Sequence, residues 1–231
     1  MIALSKRLSM VAGMVIGGSS CVDIGTDHAY LPVYLVQKGV IDSCIASDIC
    51  AGPLKNAKKT IQRYGLSDKI TLRLTPGLSG FTADECNEII IAGMGGTVIA
   101  EILESAPFIK NESIHLILQP QSHSVDVRRW LCKNGFSIEY ECVCEDSGRI
   151  YNAISAYFSH DMSKSENEGY FHIGELPYIN DSKAEFLIEK CLCVIKNRIA
   201  GLEQCGRNGE ELQSLQLALA QISDFYKKEK E

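Results

Sequence analysis

Short apolar runs recur along the first two-thirds of this chain, and each ends in a polar or glycine-bearing turn. Cys21–Ile24, Ser43–Asp48, Ile70–Leu74, Glu88–Ala92 and Ile114–Leu118 are the five. Helical patterns lie among them at about 30–38, 54–64, 97–105 and 125–133. Strands alternating with helices predict βαβ units on a parallel sheet. The almost unbroken run Ile89–Ala92 suits a strand buried on both faces. Pro32 fits the first turn of its helix, and Leu4, Leu8, Val11 and Ala12 place a further helix in residues 2–14. The rhythm then changes. Residues 136–144 and 149–158 flank Asp146-Ser147-Gly148, which predicts a hairpin and so an antiparallel end to an α/β sheet.

Residues 159–169 are polar and read as a linker, dividing the chain into 1–160 and 161–231. Beyond it, Ile188, Cys191, Ile195, Ile199 and Leu202 recur at helical spacing, as do Leu212, Leu215, Leu219, Ile222 and Tyr226. Gly206–Gly209 interrupts them. An antiparallel helical hairpin with a heptad-like, coiled-coil seam is expected. The periodicity fits clamping a large partner and bracing a dimer equally, so oligomeric state stays open.

A formal charge of −6 does not announce a nucleic-acid binder, so any such surface must be a local patch of Lys and Arg. The densest is Lys55, Lys58, Lys59 and Arg63 on one expected helix, with Lys6 and Arg7 near the start. Both also fit ordinary solvated helix faces. The ten cysteines include no Cys-x-x-Cys and no spacing typical of zinc sites, so no metal is expected. They read as reduced core thiols of a cytoplasmic protein. Lys6-Arg7, Leu8–Gly18 and Ser19-Ser20-Cys21 resemble a short secretory signal. Cleavage there would remove the lead-in to the first strand, and no apolar run is long enough to span a membrane.

The chemistry concentrates where strands end. Ligands of open α/β sheets bind outside the carboxyl ends of strands. Asp23 and Gly25 match the first half of the acid-x-Gly-x-Gly turn of adenosylmethionine-dependent methyltransferases, whereas Thr26, Asp27, His28 and Ala29 depart from its second half. Asp48, about twenty-five residues on, ends the second strand where a carboxylate can grip a ribose. Gly93-Met94-Gly95-Gly96 closes the fourth strand, and its glycines suit either close approach to a ligand or a crowded turn. The Gly-x-Gly-x-x-Gly of nicotinamide enzymes is missing after the first strand. The strand–helix units closed by a hairpin match the Rossmann-like class I methyltransferase sheet.

Asp-Ile-Gly-Thr-Asp-His-Ala-Tyr-Leu-Pro (23–32), Ala-Ser-Asp-x-x-x-Gly-Pro-Leu (46–54), Ile-Ala-Gly-Met-Gly-Gly (91–96) and Leu-Ile-Leu-Gln-Pro (116–120) together closely resemble the bacterial TrmK family. The resemblance extends from Leu4 through the C-terminal helices. It implies a Rossmann-like catalytic domain with a C-terminal coiled-coil hairpin, and transfer of a methyl group from S-adenosyl-L-methionine to N1 of adenine 22 in tRNA. Asp23, Gly25, Thr26, Asp48, Ile49, Gly93, Met94 and Gly95 would then hold the cofactor. Asp27 would be the catalytic carboxylate, with His28 orienting it and Tyr30 packing on the base. Lys6, Arg7, Lys55, Lys59, Gln119 and Pro120 would meet the tRNA. One departure stands out: Thr75-Pro76 replaces the family's usual Gly-Asp, so the acid expected near the cofactor's adenine is missing. Two other readings remain, a methyltransferase on another substrate and a non-catalytic scaffold that assembles through the hairpin.

Overall fold

The computed structural model describes residues 1–206 and 209–228, with the side chains of Ser19 and 226–228 left aside. Seven strands form one sheet: β1 (Ser19–Ile24), β2 (Ile41–Asp48), β3 (Ile70–Leu74), β4 (Glu88–Gly95), β5 (His115–Ser122), β6 (Phe136–Asp146) and β7 (Arg149–Phe158). Their order is β3-β2-β1-β4-β5-β7-β6. The first five are parallel, and β7 inserts antiparallel between β5 and β6. The expected strands and hairpin are all present; β3 has the expected bounds, β5 starts one residue later, and most of the other ends are longer. Strand order reverses between β1 and β4, so the crevice outside their carboxyl ends is where a ligand belongs.

Five helices interleave with these strands: α1 (Lys6–Gly13), α2 (Tyr30–Gln37), α3 (Ala51–Arg63), α4 (Gly96–Glu104) and α5 (Ser124–Lys133). They cover both faces of the sheet and bury two apolar layers. One contains Val22, Ile89, Ile91, Leu116 and Leu118, and the other contains Cys21, Leu35, Ile90 and Ile117. Alternate residues of β4 thus enter opposite layers, which is why its sequence is apolar without interruption. Ser5 caps α1, its hydroxyl accepting the Leu8 amide at 3.3 Å.

Part of the polar stretch expected to be linker folds. Asn167 caps a short helix, α6 (Glu168–Ile173), by accepting from the Tyr170 amide at 2.9 Å. Two long helices follow, α7 (Ser182–Gln204) and α8 (Glu210–Lys228). Ile188, Ile195 and Ile222 are buried between them, with Cys191, Ile199, Leu215 and Leu219 packed alongside. The Gly206–Gly209 break falls partly outside the described residues, as does the Tyr226 side chain. Arg128 of α5 bridges the two regions. Its Nε and Nη2 each donate to Glu141 at 2.8 Å, and its Nη1 donates to the His172 carbonyl at 3.0 Å. No helix among the described residues is long and apolar enough to cross a membrane.

Candidate active site

β1 ends at Ile24, and the chain reverses through Gly25, whose φ of 73° is a left-handed conformation that glycine adopts without strain. A side chain at Gly25 would collide with the Met94 methyl. The Gly25 and Thr26 amides both donate to the Ser47 carbonyl at 2.9 Å, fixing this turn to the end of β2. Asp27 (φ 49°) and Ala29 (φ 54°) follow in left-handed conformations that non-glycine residues seldom adopt. Such backbone clusters at functional sites.

Two cavities meet at this turn, and Gly25 lines both. The larger, about 480 Å³, lies between the ends of β2 and β3 and the flank of α4; Asp48, Ile49, Thr75, Pro76, Met94, Val98 and Ile102 line it. The smaller, about 270 Å³, is walled by Asp23, Thr26, Asp27, His28, Tyr30 and Arg7, with Leu8, Leu31 and Ala92. The first can take a nucleoside. The second opens beside it at the acid-bearing turn.

Asp27 holds its carboxylate at the solvent side of the smaller cavity, 3.7 Å from His28 Nε2, beyond direct hydrogen-bonding distance. The His28 ring lies parallel to that of Tyr30, with centroids 5.0 Å apart. Asp23 is 5% exposed, and its carboxyl is pushed up from 3.8 to about 6. Burial is the main cause; the nearby Thr26 hydroxyl offsets part of the shift, and the Asp48 charge adds to it. Although Thr26 Oγ1 influences Asp23, it reaches hydrogen-bonding geometry with no group among the described residues. Ser47 Oγ, on the adjacent strand, is likewise buried without a partner. Buried hydroxyls are normally satisfied. Of the two, Thr26 lines the smaller cavity beside Asp23 and can turn its hydroxyl to a ligand there, whereas Ser47 lines neither cavity.

Asp48 shares the cavity wall with Ile49, and its Oδ1 accepts the Cys50 amide at 2.8 Å, leaving Oδ2 for a ligand. Met94 also lines this cavity, whereas Gly93 and Gly95 do not. Gly93 packs near the Arg7 guanidinium and Gln121. Gly96 serves packing: a side chain there would overlap the His123 carbonyl and sit 2.9 Å from the Ser122 oxygen. The crowded-turn explanation therefore holds for that glycine.

Arg7 enters the smaller cavity, and its Nη1 donates to Gln119 Oε1 at 2.7 Å. Gln119 and Pro120 are buried and line neither cavity, so the direct contact expected of them is not available; Gln119 reaches the cavity wall only by holding Arg7. The Arg7 amide donates to Asp146 at 3.1 Å, and this contact holds the Asp146 carboxyl below its ordinary range. The hairpin tip thus anchors the start of α1, a link that Asp146-Ser147-Gly148 gives no sign of when read as a turn. Lys6, Lys55 and Lys59 are exposed and line neither cavity. Glu101 and Ser105 of α4 line the larger cavity without any motif to announce them.

Residues 4–154 match a methyltransferase domain family. The tRNA (adenine(22)-N(1))-methyltransferase of Bacillus subtilis is 40% identical over 153 residues, which span 66% of this chain and 64% of that protein. The crystal structure of the B. subtilis M1A22 tRNA methyltransferase TrmK superposes with a TM-score of 0.82 at 30% identity, covering 97% of this chain and 99% of that one. A Streptococcus pneumoniae putative tRNA (m1A22) methyltransferase solved with S-adenosyl-L-methionine gives 0.73 at 33% identity, covering 96% and 99%. By sequence and by superposition over nearly its whole length, the chain belongs to the TrmK family of methyltransferases.

Proposed function

We propose that this protein transfers a methyl group from S-adenosyl-L-methionine to N1 of adenine 22 in tRNA. The observation that carries the reading is the pair of cavities sharing Gly25. One suits the nucleoside of the cofactor, and the other opens beside it with a carboxylate and two aromatic rings at its rim. The names borne by the Bacillus and Streptococcus relatives supply the substrate.

Asp48 would hold the ribose, Thr26 at the wall of the smaller cavity would turn its hydroxyl to the ligand, and ionised Asp23 would face its positive charge. Bound there, the cofactor supplies an electrophilic methyl, which N1 takes with its lone pair while sulfur keeps the electrons of the broken bond. Neutral adenine needs no base to make N1 nucleophilic, so the protein's main task is orientation. The target adenine must leave its stack, and Tyr30 and His28 offer it a replacement surface. Charge grows on the ring as the methyl arrives. Asp27, accepting from the exocyclic amine, stabilises that charge more in the transition state than in the ground state.

The tRNA backbone would lie along Lys6, Lys55 and Lys59, with Arg7 nearer the base. Lys55 and Lys59 stand one helical turn apart and make no ion pair among the described residues. Residues 161–231 would form a second domain that steadies the tRNA. All ten cysteines are free, which fits work in the cytoplasm. Incubation with methyl-labelled cofactor and unmodified tRNA, followed by nucleoside analysis, tests the reading. Label in 1-methyladenosine supports it, and label in another nucleoside overturns it. Asp27→Ala should abolish transfer without loosening the cofactor.

A further inference from the structure

The larger cavity has a polar end and an apolar end. Gly25 and Asp48 form the polar end, while Ile49, Pro76, Val98 and Ile102 supply the apolar walls of a slot. Ile49 is 67% exposed and Val98 47% exposed. These are aliphatic side chains that a bound ring would cover. A nucleoside placing its sugar at Asp48 must place its base in this slot.

The side of α4 towards the slot carries Val98, Glu101 and Ile102, with Ser105 capping the helix end, spaced three, one and three residues apart and therefore on one side. Glu101 is its single charged member. Its carboxylate makes no hydrogen bond or ion pair among the described residues. Other acceptors at this end are neutral: the Thr75 and Ser105 hydroxyls, which donate to the Ser79 and Ile102 carbonyls at 2.8 Å, and the Pro76 carbonyl, which accepts from the Ser79 amide at 3.1 Å; an ionised carboxylate is the stronger acceptor. From this arrangement we propose that Glu101 accepts a hydrogen bond from the exocyclic amine of the cofactor's adenine and so selects adenine over other purines. The inference rests on the methyltransferase reading. It also explains how this chain manages without an acid at Thr75-Pro76: the carboxylate comes from the opposite wall.

A carboxylate facing an amine attracts it, whereas a carboxylate facing a 6-oxo group repels it and leaves a polar group unpaired. The test compares S-adenosylhomocysteine with S-inosylhomocysteine, its 6-oxo analogue, by titration calorimetry on the full chain. The wild type should favour the adenosyl ligand at least about tenfold, as expected for a hydrogen bond to a charged group. Glu101→Ala should weaken the adenosyl ligand by about the same factor, leave the inosyl ligand no weaker, and bring the ratio near one. Glu101→Gln, which can also donate, should shift preference towards the inosyl ligand. Asp48→Ala should weaken both alike, because both carry the same ribose. An unchanged ratio in Glu101→Ala, or equal weakening of both ligands, overturns the proposal while leaving the methyltransferase reading intact. Failure of the wild type to bind S-adenosylhomocysteine overturns both. Glu101 is exposed, so its variants should fold, and circular dichroism checks that they do.

Discussion

Replacing Asp23 with Asn should make the ligand-free protein more stable and less able to bind its cofactor. Asp23 sits in β1 between Ala46 of β2 and Ile90 of β4, and burial raises its carboxyl from 3.8 to about 6. Between those values the folded chain holds a proton that the unfolded chain has released. Stability therefore falls as pH rises from about 4 to about 6, then stays level. At ~1.36 kcal/mol per pH unit, the gap corresponds to about 3 kcal/mol lost at neutral pH. Asn avoids that cost, and its amide has the unpartnered Thr26 Oγ1 within the same turn as a candidate acceptor. At pH 8 Asp23→Asn should gain up to about 3 kcal/mol, or roughly 6–12 °C in melting temperature for a chain of this size. The gain should shrink as pH is lowered through 6. Cofactor affinity should move the other way, weakening in the variant and, for the wild type, below pH 6 as the carboxylate takes up its proton. Thermal unfolding and calorimetric titration at pH 5 and pH 8 measure both effects. A variant no more stable than wild type at pH 8, or wild-type affinity that does not fall with acid, would refute the linkage.

Gly96→Ala forces a side chain into the His123 carbonyl, which belongs to backbone and cannot swing aside, so it should destabilise by about 3 kcal/mol. Gly95→Ala, with its nearest contact 3.6 Å away at Ser122 Oγ, should cost under about 1 kcal/mol; urea midpoints distinguish the two. Arg128→Ala leaves Glu141 buried and unpaired and should cost about 3–5 kcal/mol. Pairing Arg128→Met with Glu141→Leu should recover at least half of that in the same denaturation assay. Lys55→Glu with Lys59→Glu should lower tRNA affinity and reduce its salt dependence by about two phosphate contacts, with S-adenosylhomocysteine binding unchanged.

The parallel sheet was legible because burial on two faces writes itself into runs such as Glu88–Ala92, and because acids at strand ends mark a ligand crevice. α6 was not legible. Its backbone gains order from distant partners: the Gly169 amide donates to Gln221 Oε1 at 2.8 Å, and the Phe171 and His172 carbonyls accept from Arg128. Within the site, the turn from Asp23 to Tyr30 stood out from local chemistry alone. Arg7 was visible as a basic residue, but its seat beside Gln119 depends on a contact 112 residues away in sequence. Glu101 gave no signal at all, since a glutamate on an amphipathic helix reads as solvated surface until β3 is placed opposite it.

The central claim is that the cavity beside Asp27 presents N1 of one tRNA adenine to the cofactor. Methylating two transcripts that differ only at position 22, adenine or guanine, and mapping reverse-transcriptase arrest tests it directly. The account predicts arrest at position 22 with adenine and no methyl incorporation with guanine. Equal incorporation into both transcripts, or arrest elsewhere in the tRNA, would contradict it.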